Sequence, residues 1–195
     1  MASAHRWRYL LAEMRNMVLD NPEQTNSQAG DGAVFEEFVD RYQRVILNYL
    51  WRMTGEEQSA HDLTQETFLR AWRNFAKIAH YDNPRAWLLH VATNLALTLR
   101  TRSHAPVGAA ILLDDTNSPA MSDPARRVIE SEMVRLTLQA ISPRARALLV
   151  LRELYGLDLL DIAGILGMSH DAVKTALCRA REQFRVVYER EEGQL

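Results

Sequence analysis

Residues 169–185 read SHDAVKTALCRAREQFR, and four side chains in that run could act on a ligand: Lys174, Thr175, Cys178 and Arg179. On an α-helix these four lie away from an apolar stripe formed by Val173, Leu177, Ala180, Phe184 and Val187. A cation, a hydroxyl, a thiol and a second cation on one helical face hold no general acid–base pair. What such a face can do is neutralise phosphates and hydrogen-bond to base edges. From Lys174 to Arg190 the chain carries five basic residues against two acidic ones, Arg181 and Arg185 among the former. An ordinary solvated face has the same look. The elements that present the face must therefore decide.

Asp158 precedes an apolar run (Leu159, Ile162, Ala163, Leu166) and can accept the first free N–H groups of a short helix. Gly167 supplies the backbone freedom of a helix stop, and Ser169 is placed to cap the next helix. Three residues between two helices force a sharp crossing, and Ala163 is small enough for close approach. The outline is a helix-turn-helix whose second helix can enter a major groove, although a tight helix pair in any α-helical bundle would read alike.

Other chemistry finds little support. The six histidines (His5, His61, His80, His90, His104, His170) are scattered without metal-ligand spacing or an acid–base partner, so neither an enzyme nor a metal or cofactor site is expected. One cysteine excludes an internal disulfide framework and a Cys-rich zinc site. Composition, 47% hydrophobic and 25% charged over 195 residues, is that of a globular protein with room for one large or two small domains. No apolar run suits a bilayer span, and Glu13 and Arg15 interrupt the N-terminal stretch that a signal peptide would need, so the expected location is cytoplasmic. The net charge of −2 is unevenly spread: −1 over 1–32, +1 over 33–102, −3 over 103–125 and +1 over 126–195.

Helical periodicity appears in every substantial segment. Residues 1–20 allow a loose helix, followed by the polar NPEQTNSQAGDG at 21–32. Phe35, Phe38, Val39, Tyr42, Ile46, Tyr49, Leu50 and Met53 mark a strong helix that Gly55 stops. A second begins near Ser59 and buries Phe68, Ala71, Trp72 and Phe75. Asn83 and Pro84 open a third, with Trp87, Leu88, Val91, Ala92, Leu95 and Leu99. Residues 103–125 contain three prolines, three aspartates and no basic residue, the composition of a linker. Beyond it come a helix through Ile129, Met133, Leu136 and Ala140, one opened by Ser142-Pro143 and closed near Gly156, and the pair above. The expected fold is all-α: a flexible extension (1–33), a helical domain (34–102), an acidic flexible linker (103–125) and a helix-turn-helix domain (126–195).

With both domains in view the chain resembles the bacterial extracytoplasmic-function (ECF) RNA polymerase sigma factors of the sigma-70 family, over roughly residues 34–190. The resemblance rests on FEEFVDRYQRVILNYLWRMTG, HDLTQETFLRAWRNF and PRAWLLHVATNLALTLRTR in the first domain, and on ISPRARALLVLRELYGLDLLDIAGILGMSHDAVKTALCRAR in the second. It implies a promoter-specificity subunit that docks on core RNA polymerase, at the β′ clamp helices and the β flap, and reads promoter DNA. It also implies an anti-sigma partner, no membrane insertion, and a linker threading toward the polymerase cleft. The docking helix falls on Asp62, Leu63, Gln65, Glu66 and Leu69. The loop AHYDNP matches the segment that captures a flipped −10 base, through His80, Tyr81, Asp82 and Asn83. Arg85, Asn94, Thr98, Arg100 and Arg102 become candidate backbone contacts. The −35 element falls to Arg152, Ser169, Lys174, Thr175, Cys178, Arg179 and Arg181. Ala172 stands where the family usually has threonine, and Ala176 where a second arginine is common; the lost cation implies weaker phosphate attraction. Cys178 reads most simply as a small groove-facing residue, with redox sensing as the alternative. A stand-alone helix-turn-helix regulator with a sensing domain would explain residues 142–190 but leave DLTQE and the Trp87 segment without a task.

Overall fold

Gly55, Gly156 and Gly167 are the three glycines at positive φ (75°, 65° and 62°) among the described residues, and each follows a helical segment whose apolar periodicity breaks there. The computed structural model describes residues 28–100 and 124–193, in which every regular element is helical. The expected loose helix at 1–20, most of the polar stretch after it and the linker up to residue 123 lie outside the described residues.

Helix α1 spans Gln28–Thr54. It begins inside the polar stretch expected to precede it, because adding turns to the strong segment from Phe35 costs far less than nucleating a new helix. α2 (Glu57–Arg73) starts two residues before Ser59, whose hydroxyl donates to the Glu56 carboxylate at 2.6 Å. A single helical turn, α3 (Phe75–Ile78), leads to α4 (Pro84–Arg100). α5 (Pro124–Ala140) and α6 (Pro143–Leu149) follow; the Ser142 hydroxyl accepts from the Ala145 N–H and caps α6. α6 widens into a π-helical turn at Val150–Leu154 that the periodicity does not announce. α7 (Leu159–Leu166) and α8 (His170–Glu192) complete the chain.

The chain divides at Arg44–Val45, within α1. Before the division, Phe38 stacks on Phe35 (ring centroids 5.9 Å apart) and tilts against Tyr42 (4.9 Å). After it, the second unit holds the rest of α1 and all later helices. Its N-terminal module packs α2 on α4, with Tyr49, Leu50, Met53, Phe68, Leu88, Leu89 and Ala92 buried. Thr93 gives its one hydroxyl proton to the Leu89 carbonyl (2.6 Å), so Tyr49 must be the donor in the 2.6 Å bond between their oxygens. Burial pushes the Tyr49 hydroxyl well above its usual titration range. The C-terminal module packs α5, α6 and α7 on α8, with Leu148, Leu151, Ile162, Val173 and Leu177 buried.

The sequence connects these modules only through the linker, yet the structure joins them directly. α4 packs against α6 and α7, and the end of α1 meets α5 and α6. Arg146, with no solvent exposure, donates to the carbonyls of Leu138 (2.5 Å), Gln139 (2.8 Å) and Ile141 (3.4 Å), and to that of Met53 across the seam. The carboxyl ends of α1 and α5 thus converge on one guanidinium, where helix dipoles favour positive charge.

Candidate nucleic-acid interface

The helix-turn-helix is built by the caps that its sequence offers. Asp158 accepts from the Asp161 N–H at 2.8 Å, Gly167 adopts the left-handed backbone, and Ser169 accepts from the Ala172 N–H at 3.3 Å. Each side-chain cap is worth about 1 kcal/mol. Val173, Leu177 and Ala180 are buried while Lys174, Thr175, Cys178 and Arg179 face solvent. Neither Lys174 nor Arg179 is in an ion pair among the described residues. The Thr175 hydroxyl donates back to the Asp171 carbonyl (3.1 Å), leaving its lone pairs outward.

The other expected −35 residues are engaged within the fold. Arg152 donates to the Leu157 carbonyl at 2.8 Å and tethers the turn before α7. Ser169 is occupied as a cap. Arg181 donates twice to Glu153 Oε1, at 3.0 and 2.7 Å. Arg185 lies between Glu182 (2.6 Å) and Glu189 (3.2 Å), and its bond holds the Glu182 carboxyl below the usual carboxylate range. The exposed surface of α8 therefore changes character along its length: open cations in the first three turns, self-neutralised ones after them.

One neighbour was not legible in the sequence. Arg144, from the first turn of α6, lines an open groove of about 590 Å³ together with Asp171, Thr175, Arg179 and Gln183. Its contribution depends on how α6 crosses α8, which no local spacing reveals.

In the N-terminal module, His80, Tyr81, Asp82 and Asn83 are all exposed on the connection from α3 to α4, and Tyr81 keeps 45% of its surface in solvent. Asn83 Oδ1 accepts from the Ala86 N–H (3.1 Å), so this side chain is a cap before it is anything else. Asn94 is exposed and donates to His90 Nε2 at 3.1 Å. Thr98 donates to the Asn94 carbonyl at 2.7 Å. The side chain of Arg100, and Arg102 altogether, lie outside the described residues. Arg85 does not face solvent freely: its guanidinium lies 5.2 Å from the Tyr155 ring centroid.

The residues expected to form a docking face all lie on α2. Asp62 is exposed and accepts from Gln58 (2.8 Å), while Glu66 pairs with Arg70 (2.8 Å). Leu63, Gln65 and Leu69 are half-buried beside them, and Phe68, Ala71 and Phe75 form the buried side as expected, with Trp72 only half-buried. Among the described residues no cluster of His, Cys, Asp and Glu is suited to a metal ion, and no helix is long and apolar enough to cross a membrane.

Comparison with known proteins gives this arrangement a lineage. The model of Sigma-70 region 2 matches residues 38–105, and that of Sigma-70, region 4 matches residues 131–184. The RNA polymerase sigma factor YlaC of Bacillus subtilis is 30% identical over 154 residues, covering 77% of this chain and 89% of YlaC. The chain belongs to the ECF sigma-70 family. The ECF RNA polymerase sigma factor SigG of Mycobacterium tuberculosis is 35% identical over 192 residues, 85% of this chain; the chain spans about half the length of that relative. The fold is also that of the sigma factor RpoE of Bartonella quintana, solved with the anti-sigma factor NepR: TM-score 0.63, 19% identity, 80% of this chain and 96% of that one. Within the family the order of modules expected from the sequence is the order found.

Proposed function

We propose that the chain is a promoter-specificity subunit: it binds core RNA polymerase through α2, reads a −35 element with α8 and helps open a −10 element with the loop before α4. The observation that carries this reading is the outward face of α8, where Lys174, Thr175, Cys178 and Arg179 stand on a doubly capped helix-turn-helix. Duplex readout needs side chains that are rigidly presented with donors or acceptors still open, as the lone pairs of Thr175 are. Phosphate contacts position the helix, and its N-terminal half meets base edges.

The exposed Tyr81 is the natural stacking platform for an unpaired base, with His80 and Asp82 beside it. Asp62, Leu63, Gln65, Glu66 and Leu69 are the proposed polymerase contact. No covalent step is assigned to any residue, and the site of action is the cytoplasm, where polymerase and promoter are. A partner that sequesters the factor, as NepR is bound to RpoE in its complex, is part of the reading.

The test is reconstitution: the full chain with core RNA polymerase on a randomised promoter library, with the 5′ ends of transcripts sequenced. Transcripts sharing upstream elements support the reading. A footprint on DNA without polymerase, together with failure to bind core enzyme, would replace it by a stand-alone regulator. Asp62→Ala with Glu66→Ala should weaken core binding while helical content stays as it was, because both carboxylates lie on the surface of α2.

A further inference from the structure

The cations between Glu132 and Gly193 fall into two groups. Arg135, Arg181, Arg185 and Arg190 are each in an ion pair, and Arg146 and Arg152 direct their guanidinium groups at backbone carbonyls. Arg144, Lys174 and Arg179 make no side-chain hydrogen bond or ion pair among the described residues, and all are exposed. Lys174 and Arg179 stand on α8 and belong to the reading proposed above. Arg144 stands on α6, outside the helix-turn-helix, and has no part in it.

Arg144 and Arg179 nevertheless line the same open groove, Arg144 from α6 and Arg179 from α8. Ala172 and Ala176 bring only methyl groups to the α8 wall, so that wall holds no cation between Thr175 and Arg179. The one carboxylate in the lining is that of Asp171, whose Oδ1 lies 3.6 Å from His170 Nδ1. Cations therefore outnumber carboxylates along the groove. Thr175 and Arg179 belong to the outward face of α8 and to the groove at once, so the groove opens along the edge of the face that meets bases.

A helix lying in a major groove about 12 Å wide has a sugar–phosphate strand about 6 Å from its axis on either side. Packed helices have axes about 8–10 Å apart, and α6 packs on α8. A strand on that side of α8 thus runs close to the first turn of α6, where Arg144 stands. We propose that Arg144 is a phosphate contact: with Arg179 it clamps one backbone strand beside the −35 element, supplying from α6 the cation that α8 lacks at Ala176. The planar guanidinium suits the task, because its fork meets two phosphate oxygens together. The methyl groups of Ala172 and Ala176 offer an apolar surface to the sugar between successive phosphates. The inference rests on the function proposed above and extends its DNA footprint beyond α8.

The experiment measures promoter binding by holoenzyme carrying the full chain, as parent and as Arg144→Ala, Arg144→Gln and Arg144→Lys. One phosphate contact contributes about 0.9 to the logarithmic salt slope. Arg144→Ala and Arg144→Gln should therefore bind about eightfold more weakly at about 0.1 M salt, and the deficit should shrink about 3.5-fold between about 50 and 200 mM. Base preferences should match the parent, and Arg144→Lys should keep most of the slope. Duplexes carrying a single methylphosphonate, which removes one phosphate charge, are then scanned along both strands of the −35 element. One position should weaken the parent and leave Arg144→Ala unaffected.

An unchanged slope overturns the proposal and leaves the groove to a protein partner with an acidic segment. Methylphosphonate profiles that coincide in parent and variant overturn it too, as does an equal loss of slope in Arg144→Lys, which would make the role one of shape rather than charge. Arg144 is exposed and unbonded, so its variants should melt as the parent does; should Arg144→Ala not, Arg144→Gln keeps most of the stem and gives the same comparison. A parent holoenzyme that binds no promoter would sink the proposed function and this contact with it. One that binds equally well with and without Arg144 sinks the contact alone.

Discussion

Arg146 and Arg179 carry the same guanidinium into opposite surroundings. Arg146 is enclosed and donates to four carbonyl groups from two helix ends, so its charge is consumed by the architecture. Arg179 is exposed on α8, and like Lys174 it is in no ion pair among the described residues. Arg181 stands between them: exposed, yet held by Glu153 of the π-helical turn at Val150–Leu154. A buried cation without its acceptors would be very costly, whereas an exposed one waits for a ligand at little cost. The three arginines thus separate fold, restraint and recognition, and their substitution should separate the same three properties.

The largest effect belongs to the seam. Arg146→Met removes the charge but leaves the carbonyls of Leu138, Gln139, Ile141 and Met53 without their shared donor. The expected loss is about 3 kcal/mol or more, since hydrogen bonds to a charged group contribute about 1.5–3 kcal/mol each. In a chain of this size that lowers the melting temperature by roughly 6–12 °C. Arg179→Ala should stay within about 0.5 kcal/mol of the parent by the same calorimetric measurement. Equal losses in the two variants would erase the distinction between them.

Next in size is recognition. Lys174→Ala should change which −35 bases are preferred, at about 1–3 kcal/mol on the best site. The assay is a promoter library transcribed with holoenzyme. A uniform loss over all promoters would make Lys174 a phosphate clamp and move base reading to Thr175, Cys178 or Arg179.

How far the sequence reveals these roles depends on the distance between partners. The caps at Asn83, Ser142, Asp158 and Ser169 are all legible, because donor and acceptor lie three residues apart. The glycine stops are legible for the same local reason. The pairing of Arg185 with Glu182 and Glu189 is written at helical spacing and could have been read there. The seam is not written locally: Gln139 meets a carbonyl 87 positions away, Arg146 one 93 away and Tyr155 one 110 away. Periodicity also treats the π-helical turn as plain helix, so the direction of Tyr155 is invisible to it. Consequently Arg85 and Arg152 read as ligand contacts by type and position, and the internal contact that each also makes is not visible there.

A third test concerns a buried polar group that is neutral where Arg146 is charged. Burial raises the folded-state pKa of Tyr49 above its ordinary value of 10.0. Above pH 10 the unfolded chain loses this proton while the folded chain keeps it, so the stabilisation is complete below that pH and fades as pH rises. Its share of the slope approaches about 1.4 kcal/mol per pH unit for one proton. Denaturant titrations at pH 9 to 11 should show a shallower decline for Tyr49→Phe than for the parent. Parallel declines would place the hydroxyl in solvent, against its 2.6 Å bond to Thr93.

The smallest expected effect probes restraint. Glu153→Gln removes the charge that holds Arg181 while keeping a side chain of the same shape, so Arg181 can turn toward a phosphate. An exposed ion pair contributes only about 0.2–1 kcal/mol, so stability should hardly move. Salt dependence is the sensitive readout, because each additional phosphate contact steepens the logarithmic slope by about 0.9. Holoenzyme carrying Glu153→Gln should bind every promoter more tightly at low salt, lose that advantage at high salt, and keep its base preferences. If the slope is unchanged, Arg181 lies outside the reach of the backbone, and the DNA footprint of α8 ends at Arg179. If preferences change as well, Arg181 reads bases, and recognition extends past the open cations into the half of α8 that the fold neutralises.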